Sequence, residues 1–289
     1  MRVGVTLLPE RPWAEDRERW VRAEQYGFDH AWTFDHLAWR SLAESTWYAT
    51  IPTLVAAALA TTTLRIGTWV TTPNFRHPVL LAKELMTLDT ISEGRAIVGI
   101  GAGAQGWDAA MLGQKPLTPA QSMRRFDEFV TLLDLLLTQR HTSWEGEWYT
   151  AVDARNVPGP VQQPRPPFVL AANRPKAIGF AATRGEGWAT AGTAGRDSDD
   201  AAWWNGVREA SRMFADALAR ADRPADSIAR YLNLEALSSS LTSVEQFRDH
   251  VGRASELAFT DVVIAWPRAA GPFAGDEKIL EDIAAERRA

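Results

Sequence analysis

The feature that most constrains this 289-residue chain is an alternation. Eight apolar runs of strand character are each followed by a run with helical spacing. The strand runs are Arg2–Leu8, His30–Phe34, Leu64–Val70, Arg95–Ile100, Phe168–Ala172, Gly187–Thr190, Ala229–Leu237 and Asp261–Trp266. The helical runs are Trp13–Tyr26, Trp47–Thr61, Pro78–Ser92, Pro119–Thr138, Pro175–Arg184, Ala201–Ala221, Ser243–Leu257 and Asp276–Arg288. Gly27 and Gly94 stand just past two of these helices, where a left-handed residue ends a helix. Thr242 with Glu245 three residues on predicts a capping box. In Pro119–Thr138, residues Phe126, Phe129, Val130, Leu133, Leu136 and Leu137 fall on one apolar face.

Near-continuous apolar strands imply burial on both faces, as in a parallel sheet. Eight such units in this length predict an α/β fold, a single (β/α)8 TIM barrel spanning residues 1–289. The rival, a doubly wound sheet, has a glycine-rich turn after its first strand when it binds dinucleotides; Leu8-Pro9-Glu10-Arg11 stands there instead. The rhythm breaks once, at His141–Pro167, which is rich in Pro, Gly and Gln. This reads as a long insertion before strand five, with a short hairpin at Trp144–Tyr149.

Composition narrows the function classes. A net charge of −5 argues against nucleic acid as the main partner. With no cysteine there is no disulfide, thiolate metal site or Cys nucleophile. No cluster has metal-ligand spacing, so no metal is expected. The first ten residues lack a signal-peptide pattern, and the most apolar window, Ile51–Val70, holds Pro52, Arg65 and five threonines. The expectation is a cytoplasmic protein without membrane attachment.

In a TIM barrel the site forms where the strands end. Asp35-His36 ends the second strand and is the sharpest pair there. Either His36 handles a proton while Asp35 contacts a ring or orients the site, or Asp35 caps the next segment and His36 fills the barrel mouth. Gly101-Ala102-Gly103 ends the fourth strand and serves equally a ligand's approach or a tight turn. Ala172-Asn173-Arg174 precedes a helix whose free N–H groups suit a phosphate, or is an ordinary polar cap. Aromatic and small residues dominate the remaining strand ends. Arg196–Asp200 lacks the glycine and distal glutamate of a calcium loop and reads as a solvated helix entry. His30, His77, His141 and His250 stand alone and read as structural.

These segments together resemble the bacterial luciferase-like superfamily of flavin- and deazaflavin-dependent oxidoreductases. The resemblance rests on Gly27-Phe28-Asp29, Phe34-Asp35-His36, Leu64–Thr68, Pro73–Pro78, Leu88–Arg95 and Gly99–Gly103. It implies a cofactor at the barrel mouth, coenzyme F420 where the second strand ends in Asp-His, with FMN the alternative. It places a non-prolyl cis peptide at Trp69-Val70 and phosphate-binding turns at Ala172–Arg174 and Thr190-Ala191-Gly192. Implied catalytic residues are His36 and Asp35. Implied cofactor contacts are Asp35, Trp69, Val70, Thr71, Gly101, Ala102, Gly103, Ala172, Asn173, Arg174, Thr190, Ala191 and Gly192. Trp13, Trp39, Trp107, Glu235 and Trp266 are expected to line the substrate pocket. Sugar-phosphate dehydrogenases of the superfamily carry Glu directly after the strand-four glycines; Ala104 stands there, and Asp108 is four residues on.

The expected activity is hydride transfer between F420 and a small organic substrate. Alternatives are an FMN-dependent monooxygenase using O2, and a cofactor-binding protein without catalysis. Specificity is expected in His141–Pro167 and in the loops after strands one, seven and eight. A homodimer is a further expectation of the resemblance.

Overall fold

The computed structural model describes residues 1–103, 107–194, 198–237 and 241–288. Among these, eight parallel strands close a barrel: β1 (Arg2–Thr6), β2 (His30–Thr33), β3 (Arg65–Thr71), β4 (Ala96–Gly101), β7 (Phe168–Ala171), β8 (Gly187–Thr190), β9 (Ala229–Asn233) and β10 (Asp261–Ala265). Around the barrel their order is β1-β10-β9-β8-β7-β4-β3-β2. Between them run helices α1 (Trp13–Gln25), α2 (Thr50–Ala60), α3 (Pro78–Ile91), α4 (Trp107–Met111), α5 (Pro119–Thr138), α6 (Pro175–Arg184), α7 (Asp200–Arg220) and α8 (Val244–Glu256), and α9 (Glu277–Arg288) closes the series. The expected (β/α)8 barrel is the observed one. No helix among the described residues is long and apolar enough to cross a membrane.

The chain forms two compact units. One comprises residues 1–8, 21–32 and those from Phe168 onward; the other comprises 9–20 and 33–167. In the first, Trp188 of β8 stacks on Phe214 at 4.2 Å and on Phe259 at 5.7 Å. Here β1 runs parallel to β10, pairing Arg2 with Asp261 through to Thr6 with Ala265. The register brings Gly4 opposite His30, and a Cβ on Gly4 would lie 1.8 Å from the imidazole Nδ1. Only glycine leaves room for that ring inside the wall.

In the second unit, α5 buries all six predicted apolar positions. Its start is a capping box of Thr118 and Gln121 with Pro119 at the first turn. The insertion forms an antiparallel hairpin, β5 (His141–Glu145) with β6 (Thr150–Arg155), longer than the expected Trp144–Tyr149. The rest of the insertion is tied down by buried Asp89. Its carboxylate accepts the N–H groups of Val161 (2.8 Å) and Gln162 (2.9 Å) and the Gln162 side-chain amide (2.7 Å). That amide also donates to the Ala96 carbonyl at the first residue of β4. This stretch is therefore anchored beside the first residue of β4.

Three boundaries differ for physical reasons. Helix α2 starts at Thr50 rather than Trp47, because the chain is still extended at Ala49 (ψ 135°) and Tyr48 gives its backbone N–H to the Pro9 carbonyl. Strand β9 stops at Asn233, whose side chain accepts the Glu235 N–H and turns the chain into a 3-10 turn at Leu234–Ala236. Helix α8 is capped one residue later than predicted: Ser243, not Thr242, accepts from the Gln246 N–H.

Candidate active site

Strand β2 delivers Asp35 and His36 at its carboxyl end. Asp35 is buried, and both its oxygens accept from Arg76, at 2.6 and 3.1 Å. Arg76 follows β3, donates also to Glu84 on α3 at 3.1 Å, and lies over the Phe75 ring. Burial opposes the guanidinium charge, but the Asp35 carboxylate, with Glu84, holds its pKa above the usual value. Asp35 is thus a buried carboxylate with both oxygens paired to one guanidinium.

His36 is differently placed. Its side chain is 26% exposed, and Nδ1 lies 2.8 Å from Oδ2 of Asp108, which is 3% exposed. The other Asp108 oxygen accepts the Leu37 N–H at 2.7 Å. The His36 carbonyl accepts the Trp47 indole N–H at 2.9 Å. Nε2 has no hydrogen-bond partner among the described residues. Phe34 packs edge-on to His36 and to Trp39. Asp108, noted in the sequence only as four residues past Ala104, is the neighbour of His36. It lies 72 residues from His36 on a five-residue helix, α4, that leaves no periodicity to read.

Strands β3 and β4 end beside one another in this same unit. The Trp69-Val70 peptide is cis, at the predicted position. Thr71 is buried and its hydroxyl has no partner among the described residues. Gly103 has φ +74, and a Cβ there would lie 2.4 Å from the Asn74 amide nitrogen. Asn74 holds the Gly103 carbonyl at 2.8 Å and itself accepts from Arg125. Position 103 is therefore bare by steric necessity, and its carbonyl is braced by Asn74. Of the predicted pocket residues in this unit, Trp107 is 49% exposed, while Trp13 and Trp39 are half-buried. Ala104 lies outside the described residues, as do Arg196 and Asp197.

The predicted phosphate turns lie in the other unit. Asn173 accepts the Thr190 hydroxyl at 2.7 Å and the Ala191 N–H at 3.1 Å. Thr190 accepts the Gly192 N–H at 3.1 Å. These N–H groups shape the turn and are already used. The unspent donors belong to α6: its first intrahelical bond runs from Ile178 to Arg174, which leaves the Lys176 and Ala177 N–H groups without helical acceptors. Arg174, exposed, supplies no side-chain cap. Glu235 sits half-buried on the 3-10 turn rather than on a strand end. Trp266 is 2% exposed, stacked on Tyr26 at 6.0 Å with Arg22 over its ring. Of the solitary histidines, His30 is buried between Trp32 and Asp261, and His77 caps α3 through the Val79 N–H.

Comparison with known proteins follows the same lines. A model of the family described as luciferase-like monooxygenase matches residues 1–270. An F420-dependent glucose-6-phosphate dehydrogenase of Amycolatopsis mediterranei is 33% identical over 170 residues, 58% of this chain and 50% of that protein. The chain spans about half the length of the curated relatives it matches. A solved F420-dependent secondary alcohol dehydrogenase, in complex with an F420-acetone adduct, superposes with a TM-score of 0.82 at 18% identity, covering 99% of this chain and 97% of that one. A monooxygenase from Streptomyces bottropensis gives 0.78 at 20% identity, with both chains covered completely. At these identities the two structures speak to the fold.

Proposed function

The chain belongs to the luciferase-like monooxygenase family, and on that premise we propose that it is an oxidoreductase passing a hydride between a deazaflavin of the F420 type and a small organic substrate. The observation that carries the reading is His36: a half-buried imidazole at a barrel strand end, anchored at Nδ1 and at its carbonyl, with Nε2 left for a reacting atom. The Asp-His ending of β2 and the names of the curated relatives favour the deazaflavin over FMN.

The residues fit a flat cofactor. The turn Gly101, Ala102 and Gly103, with its bare glycine at 103, and the Thr71 hydroxyl, without a partner among the described residues, suit close contact with a ring's edge. Trp69 and Val70 would contribute to the same contact. Asn173, Arg174 and the first N–H groups of α6 suit a phosphate, with Ala172, Thr190, Ala191 and Gly192 shaping the turn. Bound, the deazaflavin supplies a two-electron hydride donor or acceptor. The protein then has three tasks. It orients the substrate, excludes water through Trp39 and Trp107, and gives or takes a proton at the substrate oxygen through His36 Nε2. Asp35, locked to Arg76, fixes the backbone from which His36 projects.

Titration by tryptophan-fluorescence quenching with F420 and FMN, each oxidised and reduced, tests this. Tight binding of F420 with little response to FMN is the expected result. Preference for reduced FMN, with oxygen consumption on mixing, would transfer the protein to the monooxygenases. Binding of neither would remove the reading.

A further inference from the structure

We infer that Asp108 is a positioning residue that selects the tautomer of His36: Nδ1 protonated, Nε2 presenting its lone pair. The inference rests on the proposed proton-handling role of His36, and its geometry stands by itself. An ionised carboxylate only accepts hydrogen bonds, so an imidazole nitrogen 2.8 Å from Asp108 Oδ2 must be the one that carries hydrogen. The carboxylate cannot rotate to offer something else, because its second oxygen is taken by the Leu37 N–H at 2.7 Å. The two bonds join a buried side chain on α4 to two consecutive residues after β2. They fix the imidazole at one edge and its own backbone at the other.

The consequence is chemical. In the oxidation direction, with the bound deazaflavin as the acceptor of the substrate's hydride, Nε2 would take the hydroxyl proton, and Asp108 stabilises the resulting imidazolium. In the reduction direction the same Nε2–H returns the proton to the oxygen. Asparagine at position 108 would invert this arrangement. The Leu37 N–H still requires an acceptor, so the amide oxygen stays there and the NH2 group faces Nδ1. Nδ1 must then accept, the hydrogen moves to Nε2, and the lone pair points away from the reaction.

The fold contains its own reference. His30 is predicted to hold the opposite tautomer, since the Trp32 indole donates to its Nδ1 and its Nε2 faces Asp261 at 3.0 Å.

Long-range 1H–15N correlation spectra of 15N-histidine-labelled protein at pH 8 read both tautomers directly. The His36 signals are assigned by their loss in His36→Gln. In the wild type, His36 should show a protonated Nδ1 and a bare Nε2, with His30 the reverse. In Asp108→Asn, His36 should switch and His30 should not, which also reports an intact fold. In Asp108→Ala, His36 should drift to the Nε2–H form that free imidazole prefers. A wild-type His36 with hydrogen on Nε2 overturns the inference outright, as does a folded Asp108→Asn that leaves the tautomer unchanged. The wild-type spectrum decides even if neither variant folds. Failure of the functional reading appears elsewhere, as absence of F420 and FMN binding, and leaves this measurement untouched.

Discussion

Asp35 and Arg76 form a buried pair whose removal is asymmetric. Arg76 donates to both Asp35 oxygens, and Asp35 is 1% exposed. Replacing the arginine by an apolar side chain strands a carboxylate where water cannot reach it. Breaking a buried pair in this way costs about 3–5 kcal/mol. Arg76→Met is therefore expected to lower the unfolding free energy by roughly 3 kcal/mol or more in urea titrations. Asp35→Asn should cost less, because the amide oxygen still accepts and Arg76 retains Glu84. Equal losses in the two variants would show that the pair is solvated. At this scale the sequence displayed Asp35-His36 as a pair at a strand end. It could not display Arg76 and Asp108, the groups that divide the two roles, since each reaches its partner across a loop and is silent in local pattern.

Among the elements, the hairpin of the insertion shows how a helix surface can organise a segment with little core of its own. Glu128 on α5 accepts the indole N–H of Trp144 at 3.2 Å and the backbone N–H groups of Trp148 (3.0 Å) and Tyr149 (2.9 Å). Three donors on one carboxylate hold the hairpin turn. Each such bond to a charged group contributes about 1.5–3 kcal/mol. Glu128→Ala should leave the global transition nearly in place while hydrogen exchange of the amides around the turn, Trp148 and Tyr149 included, accelerates tenfold or more. Unchanged exchange would mean that the hairpin is held by its ladder alone. Helix α5 was legible to the residue, because its cap, its proline and its apolar stripe agree. The hairpin strands were legible only near their turn. Most of their side chains are exposed, so neither strand forms an apolar run.

For the whole molecule, one source of pH-dependent stability is a knot at the amino ends of β1, β2 and β10. Arg2 grips Asp261 with two bonds of 2.7 Å, and His30 meets the same carboxylate at 3.0 Å. Burial holds the His30 pKa below its ordinary value, outweighing the pull of Asp261. Burial alone would raise Asp261, but the bonds from Arg2 and His30 bring it down to about 2. Both signs run the same way. His30 must stay neutral in the fold, so its contribution is complete above the unfolded histidine pKa of about 6.5 and declines as pH falls through it. The Asp261 contribution is complete above the unfolded carboxylate value and is lost as pH falls from about 4 toward 2. The urea midpoint should fall between pH 8 and pH 5, and His30→Gln should flatten that slope; an equal slope in the variant would place the dependence elsewhere. The sequence by itself determined the barrel, because eight buried parallel strands must be apolar throughout and their helices amphipathic, and both requirements are written in local periodicity. It also marked the strand ends at which chemistry can occur. Only the tertiary structure decided that Asp35 pairs with Arg76, that Asp108 reaches His36, that the Gly192 turn uses up its own N–H groups, and that Trp266 stacks on Tyr26. Those outcomes depend on which side chains closure brings into contact, a proximity that no spacing along the chain encodes.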